Sequence, residues 1–221
     1  RLDDLAASLS AEYAIKAQTF AADLIPPDAP QQLFEQLAEQ QIEIDILVNN
    51  AGMMLVEKFE SSDAHALNNL LQLNIQSLVN MTHQFVGAMI ARGRGKILNV
   101  GSVASFMPTP TFSVYGASKA FVLSFSEGIS EELKGTGVTV TCVCPGFTDT
   151  NMLSDAKGLE KHIPRFLKAD PTKLAEETYA ACMKGDVVFV DRLANKALVQ
   201  FATHYPRRLV RGINGLLVRL G

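Results

Sequence analysis

The stretch IDILVNNAG, residues 44–52, joins a short apolar run to amide and small side chains. An apolar run of this length, bounded by turn-forming residues, predicts a strand over 44–48 followed by a loop. Side chains that are apolar on both faces are typical of a strand buried in a parallel sheet. Three later runs have the same character, and they predict strands at 96–100, 138–143 and 187–190.

Helical patterns separate these runs. The sequence predicts helices at 1–11, 29–40 (with Pro30 in the first turn), 64–91 and 113–134, two helical segments between 150 and 184, and helical segments in the tail. A further strand is expected at 14–20, AIKAQTF. Strands that alternate with helices at this spacing predict an α/β fold in which crossover helices join parallel strands. The 221 residues are predicted to form one domain, 1–221, with a basic helical extension at 192–221.

The composition narrows the class of function. The chain is 48% hydrophobic and 19% charged, with a net charge of −3, so it has no basic field suited to nucleic acid. No apolar run is long enough to span a bilayer. Cys142, Cys144 and Cys182 have no metal-ligand spacing, and we expect no metal site and three reduced thiols in the core.

Unusual residues follow three of the predicted strands. NNAG follows 44–48, Gly101-Ser102 follows 96–100, and Pro145-Gly146 follows 138–143. The helix at 113–134 opens with SVYGASKAF, in which Tyr115 and Lys119 lie one turn apart on one face. Because ligands of parallel sheets bind beyond the carboxyl ends of the strands, these residues predict a single site at that edge.

In this order, NNAG, Asn74, Ser102, Tyr115-x-x-x-Lys119 and the PG dipeptide resemble the short-chain dehydrogenase/reductase family. The resemblance implies a three-layer, Rossmann-like, doubly wound parallel sheet. It also implies an NAD(P)(H)-dependent oxidoreductase that interconverts a carbonyl and a secondary alcohol. Two alternatives stay open: an isomerase or lyase that retains its cofactor, and a non-catalytic NADP-binding protein of the same fold.

Catalytic roles follow from the resemblance and from simple electrostatics. A tyrosine with a pKa of about 10 is a poor acid-base group at neutral pH. We expect the ammonium of Lys119 to lower the pKa of Tyr115, and Ser102 to polarise the carbonyl through a hydrogen bond. The resemblance adds Asn74, which would help a chain of waters reach Lys119. It also gives Tyr115 and Lys119 a part in cofactor binding.

The resemblance implies further contacts with the cofactor. Small residues and turn-forming side chains would let its flat rings approach the backbone. The residues expected to make these contacts are Asn49, Ala51, Gly52, Pro145, Gly146, Thr148, Thr150 and, at the adenine side, Asp23, for which a helix cap is the alternative.

One part of the family pattern has no match. The family opens with a strand, a glycine-rich turn that seats the pyrophosphate and a second strand, whereas RLDDLAASL resembles the helix that follows them. We therefore expect the printed sequence to be a piece of a longer protein. The choice of cofactor normally depends on that part, and Arg1 favours NADP(H) over NAD(H).

Substrate and partners are inferred from apolar and basic stretches. The segment 151–169 would form a substrate lid, and with Phe106, Met107, Pro108 and Phe112 it favours an apolar or amphipathic carbonyl compound. The tail 192–221 has six Lys or Arg and no acid, and it resembles that of a broad-specificity ketoreductase branch. It is expected to pack on its own domain, with contact to a membrane surface as the less favoured reading. By family analogy we expect a cytoplasmic homodimer or homotetramer.

Overall fold

A computed structural model describes residues 2–150 and 168–220 of the chain. Four parallel strands form one sheet in the order β1-β2-β3-β4. They are β1 (Ile46–Asn49), β2 (Gly95–Val100), β3 (Val138–Val143) and β4 (Val188–Phe189). The strands predicted at 44–48, 96–100, 138–143 and 187–190 are confirmed, with ends that differ by one or two residues.

Helices connect and follow the strands. They are α1 (Leu2–Tyr13), α2 (Ala29–Glu39), α3 (Ala64–Leu71), α4 (Leu78–Arg92), α5 (Ser113–Glu132), α6 (Pro171–Lys184), α7 (Leu193–His204) and α8 (Arg207–Leu220). Local chemistry fixes several of their ends. Asp63 and Asp170 cap α3 and α6 by accepting backbone N–H groups. Gly93 ends α4 in the left-handed conformation, with φ of 67°.

The core lies on both faces of the sheet. Successive strand residues point to opposite faces, so Ile97 and Leu98 of β2 pack in different layers. Ile97 packs with side chains of α4, whereas Leu98 packs with Cys182 of α6. The thiols of Cys142, Cys144 and Cys182 are buried and free, as the composition predicted. Helix, sheet and helix therefore make the three expected layers.

The strand predicted at 14–20 is wrong. Within the described residues, 14–20 pairs with no strand, and most of the segment is exposed, including Ile15 at 52%. Ala14 has a positive φ of 52°, which turns the chain after α1. An alternating pattern shows only that a segment suits a sheet, and a strand forms only where a neighbour accepts its hydrogen bonds.

The helix predicted at 64–91 is interrupted. A turn of π-helix, Gln72–Ser77, separates α3 from α4. Such turns insert an extra residue and are frequent at functional sites. This one contains Asn74, whose side chain is 1% exposed.

The C-terminal helices α7 and α8 lie in the stretch predicted as a helical extension. Val199, Ala202 and Val210 are buried, so both helices pack on the body of the protein. Among the described residues, no helix has both the length and the apolar character needed to cross a membrane.

Candidate active site

The second strand, β2, ends beside the residues that the sequence singled out. Gly101 N–H donates to Val143 O at 2.7 Å, and Val103 N–H donates to Pro145 O at 2.9 Å. These bonds hold the segment after β2 against the segment after β3. Ser102 and the Pro145-Gly146 dipeptide therefore lie side by side, as the topology predicted.

Ser102 is positioned by a capped turn. It precedes a short 3₁₀ helix, Val103–Phe106, and its Oγ accepts the Ala104 N–H at 3.1 Å. Ser105 completes the capping box by accepting the Ser102 N–H, and its hydroxyl donates to Lys119 O at 2.7 Å. The loop that bears Ser102 is thus fastened to α5 through side-chain hydrogen bonds.

Tyr115 and Lys119 lie on one face of α5. Lys119 is 6% exposed and its Nζ donates to Val100 O at 2.7 Å. That Nζ lies 5.7 Å from the ring centroid of Tyr115. Gly116 explains part of the small-residue pattern, since a Cβ there would overlap Thr109 Oγ1.

The charge state of the pair differs from the expectation. Burial raises the pKa of Tyr115, and the hydrogen bond with Ser102 acts in the opposite direction without reversing the shift. The expected lowering of this pKa by Lys119 is therefore wrong for the protein alone. Burial also lowers the pKa of Lys119 to about 8, against a smaller raising influence of Cys142 and Cys144. At neutral pH the phenol keeps its proton and the amine is mostly charged.

Asn74 joins the site to the loop after β1. Its Oδ1 accepts the Met53 N–H and its Nδ2 donates to Met53 O, both at 2.9 Å. Nδ2 also donates to Ser118 Oγ at 3.1 Å, and the Ser118 hydroxyl donates to Tyr115 O at 2.7 Å. Sequence reasoning missed Ser118, although its position inside YGASK could have identified it.

The residues of NNAG have different surroundings: Asn49 makes partly buried side-chain hydrogen bonds, whereas Ala51 and Gly52 lie in the loop that follows. The Asn49 side chain donates to Asn99 Oδ1 at 2.8 Å and to Thr82 Oγ1 at 3.1 Å, so it holds strands and helix together. Ala51 is exposed. At Gly52, a Cβ would lie 3.2 Å from Asn74 Oδ1 and 3.6 Å from Lys119 Nζ. The absence of a side chain at Gly52 therefore leaves the polar atoms of Asn74 and Lys119 uncovered on this side.

The loop after β3 is held by its own residues. Thr148 Oγ1 donates to Gly146 O at 3.3 Å, and Thr150 Oγ1 donates to Thr148 O at 3.4 Å. Thr148 also forms a parallel bridge with Ala169. The two threonines therefore shape the loop beside Ser102, which is where the sequence placed them.

Other expected contributors lie elsewhere. Asp23 is exposed before α2, where its Oδ1 accepts the Ile25 N–H at 3.0 Å. The helix-cap alternative is wrong, because the N-cap position of α2 is Asp28. Arg1 and most of the predicted lid, 151–167, lie outside the described residues. A cavity of about 300 Å³ between α2 and α4 lies at the amino end of β1, and none of the predicted site residues line it.

Comparison with known proteins identifies the family. The profile of the family described as short chain dehydrogenase matches residues 1–160. The chain is 36% identical to sulfoacetaldehyde reductase 2 of Chromohalobacter salexigens, over 81% of this chain and 71% of that protein. It is 33% identical to very-long-chain 3-oxoacyl-CoA reductase-A of Danio rerio, over 77% of this chain and 54% of that protein.

Solved structures show the same fold. A short-chain dehydrogenase from Sphingobium yanoikuyae in complex with NADPH superposes with a TM-score of 0.79 at 30% identity, covering 99% of this chain and 80% of that one. A 7beta-hydroxysteroid dehydrogenase superposes with a TM-score of 0.85 at 22% identity, covering 97% and 83%. The expected Rossmann-like sheet is confirmed. With the profile match and the ordered motifs gathered at one strand end, the chain belongs to the short-chain dehydrogenase/reductase family of oxidoreductases.

Proposed function

We propose that Tyr115 is the proton donor of an NADP(H)-dependent carbonyl reduction, with Ser102, Lys119 and Asn74 as its partners. The reaction class, the nicotinamide-dependent interconversion of a carbonyl and an alcohol, is that of the family. The relatives named above are reductases and dehydrogenases, which favours net redox chemistry over an isomerase, a lyase or a non-catalytic binding protein.

The observation that carries this proposal is the buried ammonium of Lys119, 5.7 Å from the ring centroid of Tyr115, with Ser102 as a neighbour of the phenol. Ser102 lowers the pKa of Tyr115 through hydrogen bonding, so the two side chains are neighbours and one carbonyl oxygen could accept a hydrogen bond from each. Burial raises the pKa of Tyr115, so the phenol enters the reaction protonated. A protonated phenol is the form that a reduction requires.

The proton moves from Tyr115 to the substrate. Bound nicotinamide cofactor supplies the hydride. As negative charge develops on the substrate oxygen, Ser102 stabilises it by donating a hydrogen bond, and the Tyr115 O–H transfers its proton. The phenolate left behind is stabilised by the ammonium of Lys119, whose Nζ lies 5.7 Å from the ring centroid. Asn74 keeps the Met53 segment and α5 in register during these steps.

The residues present fit the nicotinamide half of the cofactor. The space beside Gly52 borders Asn74 Oδ1 and Lys119 Nζ. Lys119 Nζ has three N–H donors and gives one to Val100 O, so it has donors for ribose hydroxyls. The complex of the Sphingobium yanoikuyae enzyme with NADPH supports a nicotinamide cofactor here, and NADP(H) stays our choice over NAD(H).

We expect an apolar or amphipathic carbonyl substrate. Phe106, Met107 and Phe112 are partly buried beside Ser102, and the Phe112 ring centroid lies 6.4 Å from that of Tyr115. Apolar walls with a few fixed polar groups are typical of sites for such ligands. A cytoplasmic location and a homo-oligomer stay predictions.

Oxidation of NADPH in the presence of a panel of ketones and aldehydes tests the proposal. Tyr115→Phe should lower kcat/KM by about a hundredfold to ten-thousandfold, since it removes only the transferable proton. Tyr179→Phe is the matched control, because Tyr179 is 58% exposed on α6. A loss below tenfold in Tyr115→Phe would show that another group donates the proton.

A further inference from the structure

Asp191 is a buried carboxylate that the proposed chemistry does not use. It lies two residues after β4 and is 2% exposed. Its Oδ1 accepts the Gly146 N–H at 3.1 Å and the Asn195 Nδ2–H at 2.8 Å. Burying a carboxylate costs desolvation free energy, which hydrogen-bond partners must offset. One of the two partners here is the backbone of the loop after β3.

Asn195 contacts the same glycine directly. A Cβ on Gly146 would overlap the Asn195 carboxamide and would lie 2.6 Å from its Oδ1. Gly146 has no positive φ, so backbone conformation does not demand glycine there. The side chain of Asn195, on the first turn of α7, therefore explains why this position needs a glycine.

The backbone next to Asp191 is strained. Arg192 has φ of 54° and ψ of 143°, and a residue with a side chain adopts positive φ only at a cost. The unusual conformation begins α7 immediately after Asp191. Strain of this kind persists where surrounding contacts hold it, and here they include the hydrogen bonds of Asp191.

The Pro145-Gly146 peptide is thus held from two sides. Pro145 O accepts the Val103 N–H at 2.9 Å, next to Ser102, while Gly146 N–H donates to Asp191. Because the Gly146 N–H is occupied, it is not a free donor for a ligand. Among the described residues, the N–H groups of Phe147 and Thr148 have no acceptor.

We propose that Asp191 and Asn195 are positioning residues that fix the Pro145-Gly146 peptide, so that the Phe147 and Thr148 amides face the nicotinamide end of the cofactor. The inference rests on the proposed function. In this proposal, residues at the start of α7, which belong to no sequence motif, contribute to the affinity for the cofactor. Without the carboxylate, the Gly146 N–H loses its acceptor, and the Pro145-Gly146 peptide must be ordered again when the cofactor binds.

Fluorescence titration of NADPH, hydrogen exchange of the peptide spanning 144–150 and thermal unfolding test this inference on the whole chain. Asp191→Ala should raise the Kd for NADPH by about tenfold and speed amide exchange at Gly146. Asp191→Asn keeps an acceptor oxygen, so it should restore most of the affinity. The KM for the carbonyl compound, measured at saturating NADPH, should change by less than about twofold.

Thr136→Ala is the matched control. Thr136 Oγ1 accepts the Val138 N–H at 3.2 Å, which is also a backbone anchor but at the amino end of β3. It should lower thermal stability and leave the Kd unchanged. If Asp191→Ala lowers stability with an unchanged Kd, or if the Ala and Asn variants behave alike, the positioning role is wrong. A wild-type chain that binds no NADPH contradicts the proposed function itself, and with it this role.

Discussion

The residues around the end of β2 are joined to one another by hydrogen bonds, whereas the residues of α1 and the segment after it make few contacts with the sheet. Asn74 and Lys119 are 1% and 6% exposed, and each has a hydrogen-bond partner outside its own helix. Helix α1 has no buried residue, and Leu2 and Leu5 are 54% and 56% exposed. The difference shows that the residues of the candidate site provide their own contacts, while amphipathic segments depend on neighbours.

The residues around the end of β2, here called the interlinked region, include the buried ammonium of Lys119. Lys119→Met removes that charge and should have the largest effect of the variants compared here. The substitution keeps the length and apolar stem of a buried side chain but removes the ammonium that stabilises the phenolate. We expect kcat/KM to fall by about a hundredfold to a thousandfold, with the fold retained.

Lys134→Met provides the control for Lys119→Met. Lys134 is 71% exposed just after α5 and pairs with Glu131, so its loss should leave the rate unchanged. Steady-state NADPH oxidation measures both variants. A Lys119→Met rate within threefold of wild type would mean that the buried charge does not serve catalysis.

Asn74→Ala tests whether the interlinked region is also a source of stability. The change leaves Met53 N–H and Met53 O without their side-chain partner. The free energy of unfolding should fall by about 2 kcal/mol, as measured by urea denaturation. Asn80→Ala, which removes two exposed hydrogen bonds, from Gln76 Nε2 at 2.8 Å and to Pro27 O at 3.3 Å, should cost less than about 0.5 kcal/mol. Equal losses would remove the distinction between the two sites.

The site was predictable because its chemistry is local. Tyr115 and Lys119 share a helix face through spacing alone, and Ser102 follows a strand whose apolar pattern is unmistakable. Sequence order and sheet topology then bring them to one edge. The same reasoning gave the sheet and the major helices.

What sequence reasoning missed depends on contacts between distant elements. The π turn at Asn74 forms around the Met53 backbone, 21 positions away, and periodicity contains no signal for it. Asp191 belongs to no sequence motif, and its importance depends on its hydrogen bond to Gly146, 45 positions away. The pKa of Tyr115 was predicted in the wrong direction, because burial cannot be judged from spacing.

The pH dependence of reduction tests whether the lowered pKa of the buried Lys119 amine limits the rate at high pH. Burial lowers the pKa of Lys119 to about 8, from a usual 10.5, so raising the pH above 8 neutralises the amine. The rate should fall roughly fivefold between pH 8 and pH 9, and about tenfold for each further pH unit, as the charged form is lost. A rate that stays flat to pH 10 would contradict this.

The Lys119 amine should also affect the free energy of unfolding, which should rise with pH where the rate of reduction falls. Between pH 8 and 10.5 the unfolded chain binds this proton and the folded chain does not. Stability from Lys119 alone therefore rises with pH across that window. In Lys119→Met this contribution to the pH dependence of unfolding should disappear.

Leu5→Ala should have the smallest effect and tests the other side of the comparison. Leu5 is 56% exposed on α1, so its truncation should change the free energy of unfolding by less than about 0.5 kcal/mol. Leu70→Ala, at a position that is 0% exposed on α3, should cost about 3 kcal/mol in the same urea titration. If Leu5→Ala costs more than 1 kcal/mol, α1 has an apolar contact in solution. A cost that grows with protein concentration would assign that contact to a second chain, and a constant cost would assign it to the same chain.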